Sequence, residues 1–281
     1  MRVDLTKMRA LMEQRHIDCV VATSHDNVYY STGSNIPTIS LLKRLAAAFF
    51  PLEKDPVFCV HANEQVLTRS TTWMKDIRVY QGGEWEPLKP VEFVAGILKE
   101  KGLEKTTIGI EFFDMTALEL DHLRNQLPSA TFVDCRPVFD KMRSVKSAEE
   151  LQLLSVANMA TAKAVTVAFE MARPGDTERS IVQNMMNLIV EYGADQIALA
   201  HLGAGKKAIF ESHRMATDNR IKHGDLIHVD IGGYFRGYMS DIARTAVVGK
   251  PDETQLKLYK VTVGAERATA DALQAGAPIA S

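Results

Sequence analysis

The sequence predicts an α/β domain followed by an α+β domain. Three observations support this: helix-type and strand-type patterns alternate through the first half, two capped helices occupy the middle, and strands with a hairpin follow them. The 281 residues are 46% hydrophobic and 24% charged, which is the ordinary globular range and enough chain for one to two domains. We place the boundary after residue 138, so that the domains are 1–138 and 139–281.

The amino-terminal domain begins with a helical stripe. Leu5, Met8, Leu11 and Met12 recur at helical spacing and predict a helix over residues 5–16. Short apolar runs predict strands at 18–22, 56–60 and 107–111, and helical periodicity recurs at 90–100 and 115–127. Residues 27–33 end in a turn glycine, Gly33. A βα alternation of this kind predicts a compact α/β domain.

The second domain begins with helix-capping signals. Ser147 followed by Glu150 is a capping box that opens a helix of about 25 residues, which Pro174-Gly175 ends. Thr177 is the expected N-cap of a second helix, and Gly193 ends it. Strands are predicted at 196–200, 226–231 and 238–248, and a last helix at 252–274. Helices followed by strands in this order predict α+β packing.

Charge and composition exclude several functions. A formal net charge of −2 offers no broad attraction for nucleic acid or an anionic membrane, so we expect neither as a partner. The amino terminus lacks an apolar signal segment, and no run approaches the roughly 18 consecutive apolar residues of a membrane helix. The expected location is the cytoplasm. Three scattered cysteines, Cys19, Cys59 and Cys135, are interpreted as buried reduced thiols.

Residues 228–245 predict a β-hairpin that carries two aspartates. With the turn centred between Phe235 and Arg236, Asp230 would face Asp241, and Gly233 would face Tyr238. Two carboxylates directly opposite each other repel, and a pair of divalent metal ions would compensate. The alternatives are that Arg244 or another basic residue neutralises one aspartate, or that both side chains point into water. Geometry alone does not choose between these readings.

The residue string itself resembles a known family. Asp230-Ile-Gly232, Gly237-Tyr-Met-Ser-Asp241 and Arg244-Thr245 are similar to the metal-binding hairpin of the pita-bread metallopeptidase superfamily, which includes aminopeptidase P, prolidase, methionine aminopeptidase and creatinase. Similarity continues at 143–150, 174–178 and 224–226, and more weakly at 27–33. The resemblance implies a creatinase-like α/β amino-terminal domain and an α+β pita-bread domain that is incomplete in this chain.

The resemblance also implies an activity. It predicts a metal-dependent hydrolase similar to Xaa-Pro aminopeptidase or Xaa-Pro dipeptidase, acting on a small peptide or peptide-like substrate, and a homodimer. Asp230 and Asp241 would hold two divalent ions of Mn, Zn, Co or Fe. His213, 17 residues before Asp230, would contact the substrate and stabilise charge on the scissile carbonyl. His228 shares a strand face with Asp230, and a structural core histidine is an equally good reading of it.

The ligand set implied by the resemblance is incomplete. Dinuclear members also use a histidine and two glutamates from later strands, whereas no histidine follows His228 here and the only later glutamates are Glu253 and Glu266. We therefore expect this chain to be a fragment of a longer enzyme, truncated at the carboxyl end and inactive alone. The alternatives are a creatinase- or ectoine-hydrolase-like small-molecule enzyme or lyase, and a non-catalytic peptide-binding module.

Overall fold

The computed structural model describes residues 3–83, 85–205 and 213–278. The chain divides into two compact units, Met1–Lys146 and Ser147–Ser281. The boundary expected after residue 138 lies inside a helix, Arg136–Ser144, whose Val138, Phe139 and Met142 are buried in the core of the first unit. Because those side chains hold the helix to the first unit, the division falls after it.

The first unit is built on a mixed sheet. The strands are β1 Cys19–Ala22, β2 Ala47–Pro51, β3 Val57–His61, β4 Asp76–Tyr80, β5 Thr107–Ile110 and β6 Thr131–Asp134. Their order in the sheet is β4-β3-β2-β1-β5-β6. Strand β2 runs antiparallel to both neighbours, and the other adjacent pairs are parallel. Successive residues of β1 are all buried, as expected for a strand covered on both faces.

Helices cover both faces of this sheet. They are α1 Leu5–Glu13, α2 His25–Thr32, α3 Thr38–Leu42, α4 Gln65–Thr71, α5 Lys89–Glu100, α6 Ala117–Gln126 and α7 Arg136–Ser144. Met12 of α1 and Phe139 of α7 belong to the core on one face, and Leu98 of α5 and Leu123 of α6 belong to the core on the other. The predicted α/β class is confirmed. Residues 27–33 are mostly α2, with Gly33 as its left-handed C-cap at φ 77°.

The three cysteines are all free and buried, as predicted. Burial raises the pKa of the Cys19 thiol to about 12. The thiols are therefore protonated at neutral pH, and they pack as small apolar side chains.

The second unit packs two helices on one face of an antiparallel sheet. Its elements are α8 Ala148–Met171, α9 Glu178–Glu191, β7 Gln196–Ala204, β8 Leu226–Phe235, β9 Tyr238–Met239, β10 Ile242–Val247 and α10 Glu253–Ala272. The sheet order is β10-β8-β7, and β9 pairs with β8. Val229 and Ile231 of β8 join Val165 of α8 and Met185 of α9 in one core. This arrangement confirms the predicted α+β class.

The helix boundaries of the second unit follow the predicted signals. The capping box of Ser147 and Glu150 is formed, Thr177 caps α9, and Gly193 follows α9 at φ 106°. By length and composition alone, α8 would pass for a membrane-spanning helix. Its Ala157, Thr161, Ala164, Val165 and Ala168 are buried at the helix–sheet interface, so we interpret it as a core helix.

Candidate functional site

The turn of the hairpin lies one residue later in the sequence than predicted. Phe235 pairs with Tyr238, so the two turn residues are Arg236 and Gly237, with φ of 50° and 81°. Both central residues of such a turn need positive φ, as in a type I′ turn. The predicted turn, centred between Phe235 and Arg236, is wrong because it would place the aromatic Phe235 in that region and leave Gly237 outside it.

This register changes which residues face Asp230. Asp230 pairs with Ala243 rather than with Asp241, so the predicted direct opposition is wrong, as is that of Gly233 and Tyr238. Asp241 lies two residues before Ala243, so strand alternation puts it on the same face, diagonal to Asp230. Diagonal neighbours lie about 7–8 Å apart. Electrostatic repulsion between the two carboxylates is therefore weaker than it would be if they were directly opposed. Repulsion by itself does not require a bound cation here.

A close contact between the two arms explains the glycine of the Asp-x-Gly pattern. A Cβ on Gly232 would overlap the Ser240 carbonyl oxygen, so only glycine fits there. The fully buried Ser240 hydroxyl lies 2.7 Å from Thr161 Oγ1 and accepts a hydrogen bond of 3.0 Å from the Gly233 N–H. These contacts fix the residue immediately before Asp241.

Helix α8 makes two further hydrogen bonds to hairpin residues 238–241, which we call the Asp241 corner. The Tyr238 hydroxyl donates to Glu150 Oε1 at 2.9 Å, and the Asp241 N–H donates to Asn158 Oδ1 at 3.4 Å. Glu150 also accepts the Ser147 N–H at 2.6 Å, so one buried carboxylate caps α8 and anchors the hairpin. The Asp241 residue is itself exposed. Its backbone is held while its carboxylate faces solvent.

Two histidines lie beside the aspartate strand. The β7–β8 register places His201 directly opposite Asp230 and therefore on the same sheet face. The His213 ring packs edge-to-face on His201, with centroids 5.5 Å apart and planes at 88°. His213 is exposed, and His228 shares the face of Asp230, with Nδ1 3.4 Å from Thr245 Oγ1. The structure thus places His213 near Asp230 through His201.

Sequence reasoning missed His201. The strand was predicted to end at Ala200, whereas β7 continues to Ala204. Extending the strand by four residues and pairing it with β8 would have placed this histidine on the face of Asp230. Arg244, the proposed neutralising group, donates to the Ala243 carbonyl at 2.7 Å. In the part of the chain that the structure describes, no ion pair links Arg244 to either aspartate.

The side chains on the sheet face of Asp230 are of types that bind metal ions, but they are too few to complete a metal centre. Carboxylate and imidazole groups are ordinary ligands for Mn²⁺, Zn²⁺, Co²⁺ and Fe²⁺. Within residues 3–83, 85–205 and 213–278, however, no group of three or more His, Cys, Asp or Glu side chains is arranged to hold an ion. The described residues therefore supply only part of the ligand set that a metal centre needs.

A buried carboxylate lies behind this face. Glu178, the first residue of α9, has no exposed surface and accepts hydrogen bonds from Ala204, Thr217 and Asn219. Burial acts to raise its pKa, but the hydrogen bonds from Thr217, Asn219 and the main chain outweigh burial, so the pKa lies below its ordinary value. Glu178 is ionised at neutral pH. The sequence analysis placed this position in the turn between two helices, within a segment that resembles the family, and gave Glu178 no role of its own.

Comparison with known proteins finds a matching family model for each of the two units. The model of the Creatinase/Prolidase N-terminal domain matches residues 5–145, and that of Metallopeptidase family M24 matches residues 152–281. The chain is 26% identical to the Xaa-Pro dipeptidase of Pyrococcus furiosus over 281 residues, covering 98% of this chain and 73% of that protein. It is 27% identical to the uncharacterized peptidase YqhT of Bacillus subtilis, covering 93% and 70%.

Solved structures show the same architecture. The prolidase from Pyrococcus horikoshii has a TM-score of 0.79 at 25% identity, covering 94% of this chain and 70% of that one. The X-Pro aminopeptidase from Thermotoga maritima has a TM-score of 0.80 at 16% identity with the same coverage, which supports the fold alone. Membership in a metallopeptidase family implies that the protein is a hydrolase and that it uses divalent metal ions. The chain belongs to metallopeptidase family M24, the pita-bread family, and carries a creatinase/prolidase-type amino-terminal domain.

Proposed function

We propose that this chain is the larger part of a metal-dependent peptidase that hydrolyses Xaa-Pro bonds in small peptides. The observation that carries the proposal is the shared sheet face of Asp230 and Asp241, with His213 beside it, in a member of a metallopeptidase family. The substrate class is proposed from relatives that are themselves named Xaa-Pro dipeptidase.

Each residue has a proposed role. Asp230 and Asp241 are carboxylate ligands of two divalent ions, Mn²⁺, Zn²⁺, Co²⁺ or Fe²⁺, and bound ions of this kind supply a water that is deprotonated near neutral pH. His213 is exposed and packs on His201, so its ring is oriented by that contact and remains accessible to a substrate. In this role His213 donates a hydrogen bond to the substrate carbonyl oxygen and stabilises the charge that develops there.

The remaining ligands are proposed to lie outside the 281 residues. Two aspartates are too few for a dinuclear centre, and the chain spans 73% of the length of the Pyrococcus furiosus dipeptidase. We therefore propose a longer protein in which a later histidine and two glutamates complete the centre, with the present chain inactive alone. A cytoplasmic homodimer is part of the same proposal.

A non-catalytic peptide-binding module is the second candidate. It is favoured by one observation, namely that no set of three ligands is assembled among the described residues. In that case the face of Asp230 and His213 would bind a peptide without hydrolysing it. Metal content separates the two candidates.

Metal binding by the product of the complete reading frame tests the proposal. Mn²⁺ is titrated into this parent protein and into its variants Asp230→Asn, Asp241→Asn and the control Asp271→Asn, which changes an exposed residue of α10. Each site substitution removes one of few charged ligands, so we expect Mn²⁺ affinity to fall about tenfold or more, with no change in the control. Equal Mn²⁺ affinity in all four proteins contradicts the proposed centre.

Activity is assayed on the product of the complete reading frame. We expect Xaa-Pro dipeptide hydrolysis that requires metal and is lost in Asp230→Asn. Retained binding of Xaa-Pro peptides with no bound metal and no turnover would instead support the binding module.

A further inference from the structure

Glu178 is a buried charge that the proposed chemistry does not use. Its Oε1 accepts from the Ala204 N–H at 3.0 Å and from Asn219 Nδ2 at 2.9 Å. Its Oε2 accepts from the Thr217 N–H at 3.0 Å and from the Thr217 hydroxyl at 2.7 Å. Arg214 adds an ion pair, with Nη2 3.6 Å from Oε2. One carboxylate therefore joins α9, the end of β7 and the segment 214–219.

The main chain reinforces this connection. The Glu178 N–H donates to the Asn219 carbonyl at 2.9 Å, and the Arg179 N–H donates to the Thr217 carbonyl at 3.0 Å. These bonds use N–H groups at the start of α9 that have no partner within the helix. The start of α9 and residues 217–219 therefore lie against each other through both backbone and side chain.

His213 stands directly before the segment that Glu178 holds. The Leu202 N–H of β7 donates to the Arg214 carbonyl at 3.2 Å, next to the His213–His201 ring contact. His201 in turn faces Asp230. Glu178 contacts Ala204, which precedes His213 in the sequence, and Thr217, which follows it. These contacts limit the positions that the His213 ring can occupy.

We propose that Glu178 is a positioning residue for His213: its carboxylate holds segment 214–219 to the end of β7 and so keeps the His213 ring beside His201 and Asp230. The inference rests on the proposed function, because it concerns the histidine that is proposed to contact the substrate. Glu178 itself is buried beneath the site and touches no substrate.

The donor set makes a carboxylate necessary. Every partner of Glu178 is a hydrogen-bond donor, and both of its oxygens accept. In Glu178→Gln the side-chain NH₂ group would face an N–H donor in either orientation, at Ala204 or at Thr217. The substitution keeps the size of the side chain but turns one accepting side into a repulsive contact.

The position of His213 is measured by NMR. Histidine ring ¹³Cε1 signals are recorded for the parent, Glu178→Gln and Thr217→Val, with His213→Gln used to assign the His213 signal. Glu191→Gln makes the same substitution at the exposed end of α9 and serves as the control. Circular dichroism checks that each protein is folded, and Thr217→Val tests the inference if Glu178→Gln does not fold.

We expect the His213 signal to lose its ring-current shift from His201 in Glu178→Gln. Thr217→Val removes the 2.7 Å bond to Glu178 and the bonds that the Thr217 hydroxyl accepts from Arg214 and from the Asn219 N–H, but it keeps the Thr217 N–H bond to Glu178. In this variant the signal should move less and in the same direction. Glu191→Gln should leave it unchanged. An unchanged His213 signal in both folded site variants overturns the inference, and so does an equal change in the control.

Mn²⁺ added to the same variants of the product of the complete reading frame keeps the inference separate from the proposed function. Because contacts with α8 hold the Asp241 corner, Mn²⁺ affinity should persist in Glu178→Gln. Broadening of the His213 signal by Mn²⁺ should weaken, because the His213 ring moves away from Asp230. A displaced His213 signal without Mn²⁺ binding in any protein would count against the proposed function and for the positioning role.

Discussion

The contact between Ser240 and Thr161 offers a quantitative test of how the Asp241 corner is held. In Ser240→Ala, the Gly233 N–H loses the acceptor at 3.0 Å and the Thr161 hydroxyl loses its partner at 2.7 Å, both in a buried setting. Each unsatisfied buried group costs about 1–3 kcal/mol, so for two groups we expect a loss of about 2–6 kcal/mol in the free energy of unfolding of the second unit.

The partner substitution should cost less. Thr161→Val leaves the Ser240 hydroxyl with its two contacts to the Gly233 backbone, at 3.0 and 3.2 Å, so we expect about 1 kcal/mol. In the double variant the Thr161 hydroxyl no longer needs a partner. The two losses should therefore not add, and the coupling should be about 1 kcal/mol.

Urea unfolding measures these values. Both tryptophans, Trp73 and Trp85, lie in the first unit, so their fluorescence reports that unit while far-UV circular dichroism reports both. The circular dichroism transition of the second unit should shift and the fluorescence transition should not. Ser155→Ala, on the exposed face of α8, is the control and should have little effect. A loss below about 0.5 kcal/mol in Ser240→Ala, or strictly additive losses, would refute the reasoning.

Three further outcomes are expected. Gly232→Ala makes a Cβ overlap the Ser240 carbonyl oxygen, so it should lower the stability of the second unit by about 1–3 kcal/mol and weaken Mn²⁺ binding by the product of the complete reading frame; unchanged values would argue against this close contact. Gly237→Ala, at φ 81°, should cost about 1–2 kcal/mol in urea unfolding, whereas a register with Gly237 outside the turn predicts no such loss. Because the folded pKa of Glu178 is lowered, its stabilisation is present above the ordinary value of 4.5 and is lost as pH falls through the folded pKa. Acid titration should therefore destabilise the parent more steeply than Glu178→Gln, and identical pH profiles would contradict this.

The sequence was sufficient for most of the architecture. The predicted helix starts at Ser147 and Thr177 are confirmed, because a capping side chain and its N–H partners lie within three residues of each other and need no tertiary context. Buried strands such as β1 were visible as short apolar runs. Strands β2, β4 and β6 were not predicted. The burial of β2 depends on helices distant in sequence, and β4 and β6 are only partly buried, with little apolar pattern.

The sequence by itself determined that Asp230 and Asp241 lie on one hairpin, because both flank a single short turn and strand alternation has a fixed period of two. Only the tertiary structure decided their register, since a step of one residue at the Arg236–Gly237 turn changes every cross-strand partner. It also decided that His201 stands opposite Asp230 and that Glu178 holds the segment after His213. Those pairs are separated by 26 or more residues, and nothing local in the chain dictates which distant strand or loop will supply the partner.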